Sequence, residues 1–478
     1  MAVTVGLDVG TTAVKAIAVS ETGEVLASCE EEYPLSTPRP GWAEQDPEDW
    51  WRATERALAR LDAAEVAGIG LSGQMHGLVA LDASDAVIRP AILWNDGRTG
   101  AECEEIEERI GLERLVQLTG NRALTGFTAP KLLWMRHHEP ELYERIAHVL
   151  LPKDYVRLRL TGERAQDAAD ASGTLLFDVA RRRWSDEVVE ALELDRDWLP
   201  HVHESPELAG RTADGVPVAA GAGDQAAGAL GVGVVHPGPA SVAMGTSGVV
   251  FTGLDAYAHD PVGRVHAFCH AVPGVWQAMG VMLSAAGSLR WLRDAMGTEV
   301  GFGELAEEAR AWAPGVEGLT FLPYLAGERT PHADPDARGA FAGLSLRHDR
   351  GALVRAVLEG VAFGLRDSLD LVAELGDGRA GIDLARVSGG GARSELWLQI
   401  VASVLELPLQ RVAVEEGAAY GAALLGGIAG GVWADAGEAV DACVRPRGEV
   451  EPVDAWIEPY REGRERFRAL YPALRSVR

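Results

Sequence analysis

The first twenty residues have the apolar pattern of a β-hairpin. Residues 3–9 and 14–19 each read as a strand, because apolar side chains recur there as they do in half-buried strands. Gly10, Thr11 and Thr12 lie between the two runs and have the composition of a tight turn. The pattern therefore predicts two antiparallel strands joined by a short connection.

A second unit of the same design starts near the middle of the chain. Residues 240–244 are apolar, Gly245-Thr246-Ser247-Gly248 forms the turn, and residues 249–251 are apolar again. Two hairpins of one design predict two related halves, with the break between about residues 231 and 239. The predicted domains are residues 1–233 and 234–478.

The remaining patterns indicate an α/β protein. Residues 386–388 form a strand-like run that leads through Gly389-Gly390-Gly391 into residues with helical spacing, and this order is typical of α/β folds. Further predicted strands are residues 65–72 and a strand from residue 218 that ends at Asp224. Predicted helices are residues 102–118, 140–150, 283–292, 352–371 and, as a tightly packed glycine- and alanine-rich helix, 417–431.

Length and composition agree with two globular domains. The chain has 478 residues, 47% of them apolar and 24% charged, which is ordinary for a folded protein of two large domains. Its formal charge of −27 disfavours binding to nucleic acid or to an anionic membrane surface, and more simply keeps the protein in solution. With four scattered cysteines, no signal peptide and no apolar run of about 20 residues, the chain is expected to be cytoplasmic.

The two glycine–threonine turns are candidate phosphate sites. Asp8 ends a predicted buried strand, and the turn beside it offers backbone N–H groups and the hydroxyls of Thr11 and Thr12. Such a carboxylate could hold Mg²⁺ while the turn binds a phosphate, and Lys15 could add a positive charge. Either turn alone could be an ordinary hairpin, but one in each half could hold a triphosphate from both sides, with Gly245 and Thr246 in the second turn.

The glycine triplet is a candidate third nucleotide element. Glycines let the backbone approach a base or ribose, and a helix N-terminus offers free N–H groups to polar ligand atoms. Gly390, Gly391 and Ser394 are the residues proposed for this contact, although a lone glycine triplet is often just a turn. The sequence contains no G-x-x-x-x-G-K-[ST] loop, so a P-loop nucleotide site is not expected.

Asp224 is the candidate catalytic base. Phosphoryl transfer to an alcohol needs a group that orients the hydroxyl and accepts its proton, and a carboxylate can do both. The alternative is that Asp224 only caps the glycine- and alanine-rich helix predicted after it. Gln225, which follows it, is a candidate for contact with the same substrate.

Two further clusters have the composition of a sugar site. Met75 and His76 lie in the segment after the predicted strand 65–72, and Trp94 begins the segment Trp-Asn-Asp-Gly-Arg. Polyol recognition needs hydrogen-bonding groups and an aromatic wall, and these segments supply both. His76 could also be an ordinary structural histidine. The segment 128–134, which contains Lys131, is expected to pack as a helix edge without chemistry.

Taken together, these residues resemble the FGGY family of carbohydrate kinases. Asp8-x-Gly10-Thr11-Thr12 is similar to the family's first phosphate motif, Gly245-Thr246-Ser247 to its second, and the run from Gly389 to Ser394 to its adenosine motif. The resemblance implies a two-domain α/β actin-like (ribonuclease H-like) ATPase fold with the active site in the interdomain cleft. It also implies ATP and Mg²⁺ as cofactors, and family members are often homodimers.

The sugar segments narrow the expectation within that family. Gln74-Met75-His76-Gly77 resembles the sugar-binding segment of the members that act on D-xylulose, and the Arg-Glu pair of glycerol kinases is absent there. The resemblance implies that Asp224 is the base, that Met75 and His76 contact the ketose, and that D-xylulose is converted to D-xylulose 5-phosphate. The alternatives are another ketose or polyol, such as ribulose or glycerol, or an actin-like ATPase without a sugar substrate.

Overall fold

The computed structural model describes residues 2–61, 63, 65–376, 381–414 and 416–476. Its elements fall into two sets, one on each side of a loop between residues 231 and 239. The first set is β1 Val3–Val9, β2 Ala13–Ser20, β3 Val25–Glu32, β4 Glu44–Gln45, α1 Pro47–Leu61, β5 Val66–Gly73, β6 Val79–Leu81, β7 Ala91–Ile92, α2 Gly100–Ile110, α3 Leu112–Thr119, α4 Thr128–His138, α5 Pro140–Tyr143, β8 His148–Leu150, α6 Pro152–Thr161, β9 Ala165–Asp167, α7 Ala168–Ala171, β10 Phe177–Asp178, β11 Arg183–Trp184, α8 Asp186–Ala191, β12 His201–His203, β13 Leu208–Arg211, β14 Pro217–Ala219, β15 Ala222–Gly223 and α9 Asp224–Gly231.

The second set follows the same strand-and-helix alternation. It consists of β16 Pro239–Met244, β17 Gly248–Leu254, β18 His266–Cys269, β19 Trp276–Met282, α10 Ala286–Ala295, α11 Phe302–Arg310, β20 Thr320–Leu322, β21 Ala340–Ala342, α12 Arg350–Glu374, β22 Leu384–Ser388, α13 Glu395–Leu405, β23 Leu409–Val412, α14 Gly417–Ala429, α15 Ala436–Cys443, β24 Pro446–Val450 and α16 Asp454–Arg475. Short 3₁₀ helices cover Ser172–Thr174, Arg196–Trp198, Val316–Gly318 and Gly390–Arg393.

Each half is built on a seven-stranded mixed sheet. In the first sheet the order is β13-β14-β5-β1-β2-β3, with β15 also paired to β5; β1, β2 and β3 are antiparallel, and β1 is parallel to β5. In the second the order is β18-β19-β17-β16-β22-β23-β24, where β16, β17 and β19 are antiparallel and β16 is parallel to β22. The two hairpins thus have equivalent places, β1–β2 in one sheet and β16–β17 in the other, and the predicted hairpins are confirmed.

Two of the predicted helices are wrong in part. The run 102–118 is two helices rather than one, because Gly111 has a φ of +85°, a left-handed value that breaks the helix there. The run 140–150 is helical only as far as Tyr143, and residues 148–150 form β8. Strand β8 pairs with β6 in an antiparallel register, so a long-range pairing overrides the helical spacing.

Helix α14 belongs to the second half of the sequence but packs on the first sheet. A Cβ built on Gly6 of β1 would lie 1.9 Å from the Ala419 carbonyl oxygen, and one on Gly70 of β5 would lie 1.8 Å from that of Ala422. On its other side, a Cβ on Gly421 would lie 1.8 Å from the carbonyl oxygen of Ala227 in α9. The predicted tightly packed helix is confirmed, and glycine makes these backbone-to-backbone contacts possible.

The long apolar helices are all core elements of this fold. Within the ranges that the structure describes, no helix combines the length and apolarity needed to cross a membrane. Helix α12 is the longest of them and is buried along most of its length between α11, α13 and strands of the second sheet.

Candidate active site

Three neighbouring strands of the first sheet bring Asp8, Ser72 and Asp224 together. Asp8 on β1 is in register with Ser72 on β5, and Ser72 is in register with Ala222 on β15. Asp224 follows β15 directly and begins α9. Because β1, β5 and β15 are parallel, these residues lie at the carboxyl ends of their strands, where ligands bind in α/β sheets. The Ser72 hydroxyl donates to Asp8 Oδ1 at 2.7 Å.

Burial shifts the protonation of both carboxylates of this site, and the charge of Asp8 also acts on Asp224. Burial raises the pKa of Asp8, while the hydrogen bond from Ser72 and the charge of Lys15 partly offset that rise. Burial, reinforced by the negative charge of Asp8, raises the pKa of Asp224 to about 7. The Gln225 side chain donates to Asp224 Oδ1 at 3.3 Å and works in the opposite direction. Asp224 can therefore exchange a proton near neutral pH.

The same carboxylate pair fits a divalent cation. The charge of Asp8 disfavours ionisation of buried Asp224, and a cation bound near both would offset that effect. No cluster of three or more histidine, cysteine, aspartate or glutamate residues suited to a metal occurs among the described residues. A cation here would therefore need further oxygen ligands from a bound phosphate or from water, as Mg²⁺ usually has.

The first glycine–threonine turn lies beside Asp8, and its side chains are partly engaged. Trp94 Nε1 donates to Thr11 Oγ1 at 3.0 Å, so the exposed indole of Trp94 reaches from the sugar segment to the turn. Thr12 is exposed. Lys15 is opposite Asp8 on β2, but its Nζ forms an ion pair with Glu416. The contact of Lys15 with a phosphate stays a prediction, and its ammonium is shared with Glu416 in this structure.

The second turn and the glycine triplet are brought together by the second sheet. Strands β16 and β22 are parallel and end at the same edge. Gly389 has a φ of +85° and packs so closely that a Cβ on it would lie 2.7 Å from the Met244 carbonyl carbon. The Gly245 and Thr246 carbonyls accept hydrogen bonds from Ala286 and Ala285 at the start of α10, and this fixes the turn.

The residues around the triplet differ in how much they are free to bind a ligand. Gly390 has no heavy atom within 4 Å of where a Cβ would be, so open space lies beside it, whereas Gly391 packs against Met244. The Thr246 side chain is exposed. Ser394 caps α13, because its hydroxyl accepts from the Trp397 amide at 3.3 Å. Its side chain is thus already used by the helix.

Met75 and His76 follow β5, and Met75 lies against Gly223, the residue before Asp224. His76 Nδ1 is 2.6 Å from the Gly173 carbonyl oxygen, so Nδ1 carries the hydrogen and Nε2 is left as an acceptor. Burial lowers the pKa of His76 to about 3, which keeps the ring neutral. Met75 lies against Gly223, where a Cβ would be 2.7 Å from its Cγ. The Phe127 ring packs edge-on against His76 with centroids 4.6 Å apart.

Lys131 has a different place from the one expected. It is fully buried, and its Nζ donates to the carbonyl oxygens of His76 at 2.8 Å and Gly126 at 2.6 Å. Burial lowers its pKa well below the ordinary value. The segment is helical as predicted, in α4, but it is buried rather than at an edge, and Lys131 fixes the backbone at His76 and Gly126. A lysine inside an otherwise apolar helical run was the signal for this in the sequence.

A second buried group was not predicted at all. Lys153 Nζ is 2.6 Å from Asp154, 2.6 Å from Asp167 and 3.0 Å from Asp170, and all four side chains are fully buried. Asp170 lies directly beneath the segment before Asp224, since a Cβ on Gly223 would be 3.2 Å from its Oδ1. The buried network therefore supports the segment that carries Asp224.

The fold and this site define a carbohydrate kinase: the chain belongs to the FGGY family of carbohydrate kinases. The N-terminal domain of that family matches residues 3–231, and its C-terminal domain matches residues 240–430. The predicted family and the predicted two-domain α/β fold class are both confirmed. As a member of this family, the protein uses ATP.

Proteins similar to the whole chain are known. The xylulose kinase of Escherichia coli (strain K12) is 44% identical over 98% of this chain and 99% of its own length. The crystal structure of a "xyloylose kinase" from Brucella ovis has a TM-score of 0.93 and 42% identity, and all of each chain is covered. The structure of xylulose kinase from Rhodospirillum rubrum has a TM-score of 0.92 and 33% identity, with 99% of each chain covered.

Proposed function

We propose that this protein transfers the γ-phosphoryl group of ATP to the terminal hydroxyl of D-xylulose, giving D-xylulose 5-phosphate and ADP. The observation that carries the proposal is buried Asp224, whose pKa is raised to about 7 by burial and by the charge of Asp8, and which directly follows the glycine that contacts Met75. The full-length relatives named xylulose kinases support the same substrate.

In the proposed reaction Asp224 is the general base. Its ionised carboxylate orients the terminal hydroxyl and accepts the hydroxyl proton as the oxygen bonds to phosphorus and the bond to ADP breaks. The carboxylate is close to half ionised at neutral pH, so it can take up the proton and release it again. Gln225 holds Asp224 Oδ1 in place and lies where it can also contact the sugar.

ATP is proposed to lie between the two sheets. The turns at Thr11–Thr12 and Gly245–Thr246 would bind its phosphates through backbone N–H groups and hydroxyls. The open space beside Gly390, with Gly391 next to it, would accept the adenosine. Asp8 would hold Mg²⁺, which supplies positive charge to the phosphoryl oxygens. The role of Ser394 would then be to cap α13 and fix that loop.

The sugar is proposed to bind over Met75 and His76. His76 Nε2 can accept a hydrogen bond from a sugar hydroxyl, because Nδ1 is occupied by Gly173 and the ring stays neutral. Met75 gives an apolar floor, and Trp94 gives an aromatic wall that continues to Thr11. Lys131 keeps the His76 carbonyl fixed, so the direction of the imidazole is set before the sugar arrives.

The proposal is tested by ADP release in a coupled assay with D-xylulose, D-ribulose, glycerol and a blank without sugar. D-xylulose should give the largest kcat/KM by far. The variant Asp224→Asn should lower kcat at least about a hundredfold while sugar binding persists. Asp214→Asn is the matched control, because Asp214 is exposed on a loop and should leave kcat unchanged.

Other results would lead to other conclusions. Preference for a different sugar would keep Asp224 as the base but would reject D-xylulose as the substrate. ATP hydrolysis that does not depend on any sugar would refute the kinase reaction itself. Near-normal turnover by Asp224→Asn would show that another group accepts the proton.

A further inference from the structure

Arg329, in the loop after β20, has a guanidinium without a partner in the described part of the chain. The Arg329 guanidinium makes no hydrogen bond or ion pair with any residue in the described part of the chain; only its backbone N–H is engaged, by Glu328. The side chain is half-buried. Burial lowers its pKa, and only Glu328 acts against that. A guanidinium removed from bulk water without partners is costly, so a ligand with acceptor atoms is the natural partner.

Glu328 is close enough for its charge to act on Arg329, but no hydrogen bond joins its carboxylate to the guanidinium in the described residues. Its side chain is almost fully buried, and Oε1 accepts from the backbone N–H groups of Leu283 at 3.0 Å and Arg329 at 2.7 Å. Burial raises the pKa of Glu328 to about 8, so the carboxyl is largely neutral at pH 7. Glu328 fixes the backbone of the loop and leaves the guanidinium of Arg329 free.

Thr330 fixes the position of Arg329 at the end of the second sheet. Its N–H donates to the Val281 carbonyl at 2.9 Å, its hydroxyl accepts from the Val281 N–H at 3.0 Å, and the hydroxyl donates to the Arg264 carbonyl at 3.0 Å. Thr330 therefore extends the antiparallel pair β18–β19, next to His266 at the start of β18. These three hydrogen bonds fix the backbone next to Arg329 and therefore the position from which its side chain extends.

Arg329 lies near the segment of the first half that contains Met75 and His76. The His266 ring stacks on Phe268, and Phe127 lies edge-on to His266 at 5.9 Å and to His76 at 4.6 Å. The charge of Arg329 contributes, after burial, to the lowered pKa values of both His76 and His266. Arg329 is thus close to the ring cluster of His76, Phe127 and His266, although Arg329 and His76 come from different halves of the chain.

We propose that Arg329 is a substrate-contacting residue that donates hydrogen bonds to an oxygen of the bound ketose, opposite His76; this rests on the proposed function. A guanidinium only donates and neutral His76 Nε2 only accepts, so together they recognise an acceptor and a donor on one sugar. Because each half supplies one of the two groups, full sugar affinity requires both halves to be in place.

The experiment compares the full chain with Arg329→Met and Arg329→Lys. Arg329→Met should raise the KM for D-xylulose about 10- to 100-fold, the effect of losing a hydrogen bond from a charged group, with little change in the KM for ATP. The KM of Arg329→Lys should lie between those of the unmodified protein and Arg329→Met, because lysine keeps the positive charge but lacks the planar, paired N–H donors of the guanidinium. Neither variant should lower Tm, since the guanidinium has no partner in the free protein.

Arg338→Met is the matched control. Arg338 is exposed in the same loop and donates only to the carbonyls of Pro335 and Ala337, so its loss should leave both KM values unchanged. An unchanged KM for D-xylulose in Arg329→Met, or a lowered Tm or failure to fold in either Arg329 variant, refutes the inference. Absence of D-xylulose turnover in the unmodified protein refutes the proposed function instead, so the two failures are distinguishable.

Discussion

Removing the ammonium of Lys153 should destabilise the protein severely. In Lys153→Met the carboxylates of Asp154, Asp167 and Asp170 remain fully buried, and Arg157, 3.0 Å from Asp154, is the remaining cation within this group. Breaking a buried ion pair by removing one partner costs about 3–5 kcal/mol. At about 2–4 °C per kcal/mol for a domain of this size, Tm should fall by about 6–20 °C.

The loss should depend on pH in a defined direction. Burial raises the pKa of Asp167 and Asp170, although Lys153 already opposes that rise, so both should titrate still higher without Lys153. A carboxyl whose pKa is higher in the folded state favours folding below its unfolded pKa, and this contribution is lost as pH rises through the folded pKa. The difference in Tm between the protein and Lys153→Met should therefore widen from pH 5 to pH 8.

Differential scanning calorimetry at several pH values measures this effect. Arg164→Met is the control, because Arg164 also pairs with an aspartate, Asp85, but these side chains are 41% and 37% exposed to solvent. It should change Tm far less. Adding Asp170→Asn to Lys153→Met should recover part of the lost stability. A Tm drop in Lys153→Met no larger than that of the control at pH 8 would refute the reasoning.

Two further predictions concern the helix contact and the base. Gly421→Ala should lower stability by about 1–3 kcal/mol or more in thermal unfolding, because its Cβ would lie 1.8 Å from the Ala227 carbonyl oxygen. Gly228→Ala, in α9 with no atom within 4 Å of the new Cβ, should be neutral or stabilising; equal losses in both variants would contradict the packing argument. For the base, kcat/KM for D-xylulose should rise with pH up to about 7 and then level off, because only ionised Asp224 accepts a proton. A flat profile between pH 5.5 and 8 would count against Asp224.

Features with local signals were predictable from the sequence. Both hairpins and the glycine triplet were found because turns depend on glycine and on short alternating runs. Strand β8 was missed because its pairing with β6, about 70 residues away, decides its conformation. Asp8 and Asp224 lie near each other because β1, β5 and β15 are neighbours in the sheet. The distance between the two residues along the sequence does not reveal this strand order.

Charged residues of the interior were the hardest to predict. Lys153 looks like a surface residue in the sequence, and Lys131 is marked only by the apolar residues around it, since burying a lysine is costly unless partners come from elsewhere in the fold. Those partners are the carbonyls of His76 and Gly126 for Lys131 and three aspartates for Lys153. The ion pair between Lys15 and Glu416 was not predictable for the same reason, because Glu416 lies about 400 residues further along the chain.

The place of helix α14 has a consequence for synthesis of the protein. The ribosome completes the first sheet's strands by residue 223, but the helix that covers β1 and β5 ends only at Ala429, about 200 residues later. At about 5–20 residues per second the delay is about 10–40 s. During this time the glycine-lined surface of the nascent first half is open to chaperones and to other chains, so slow translation of the second half should be a hazard for this protein.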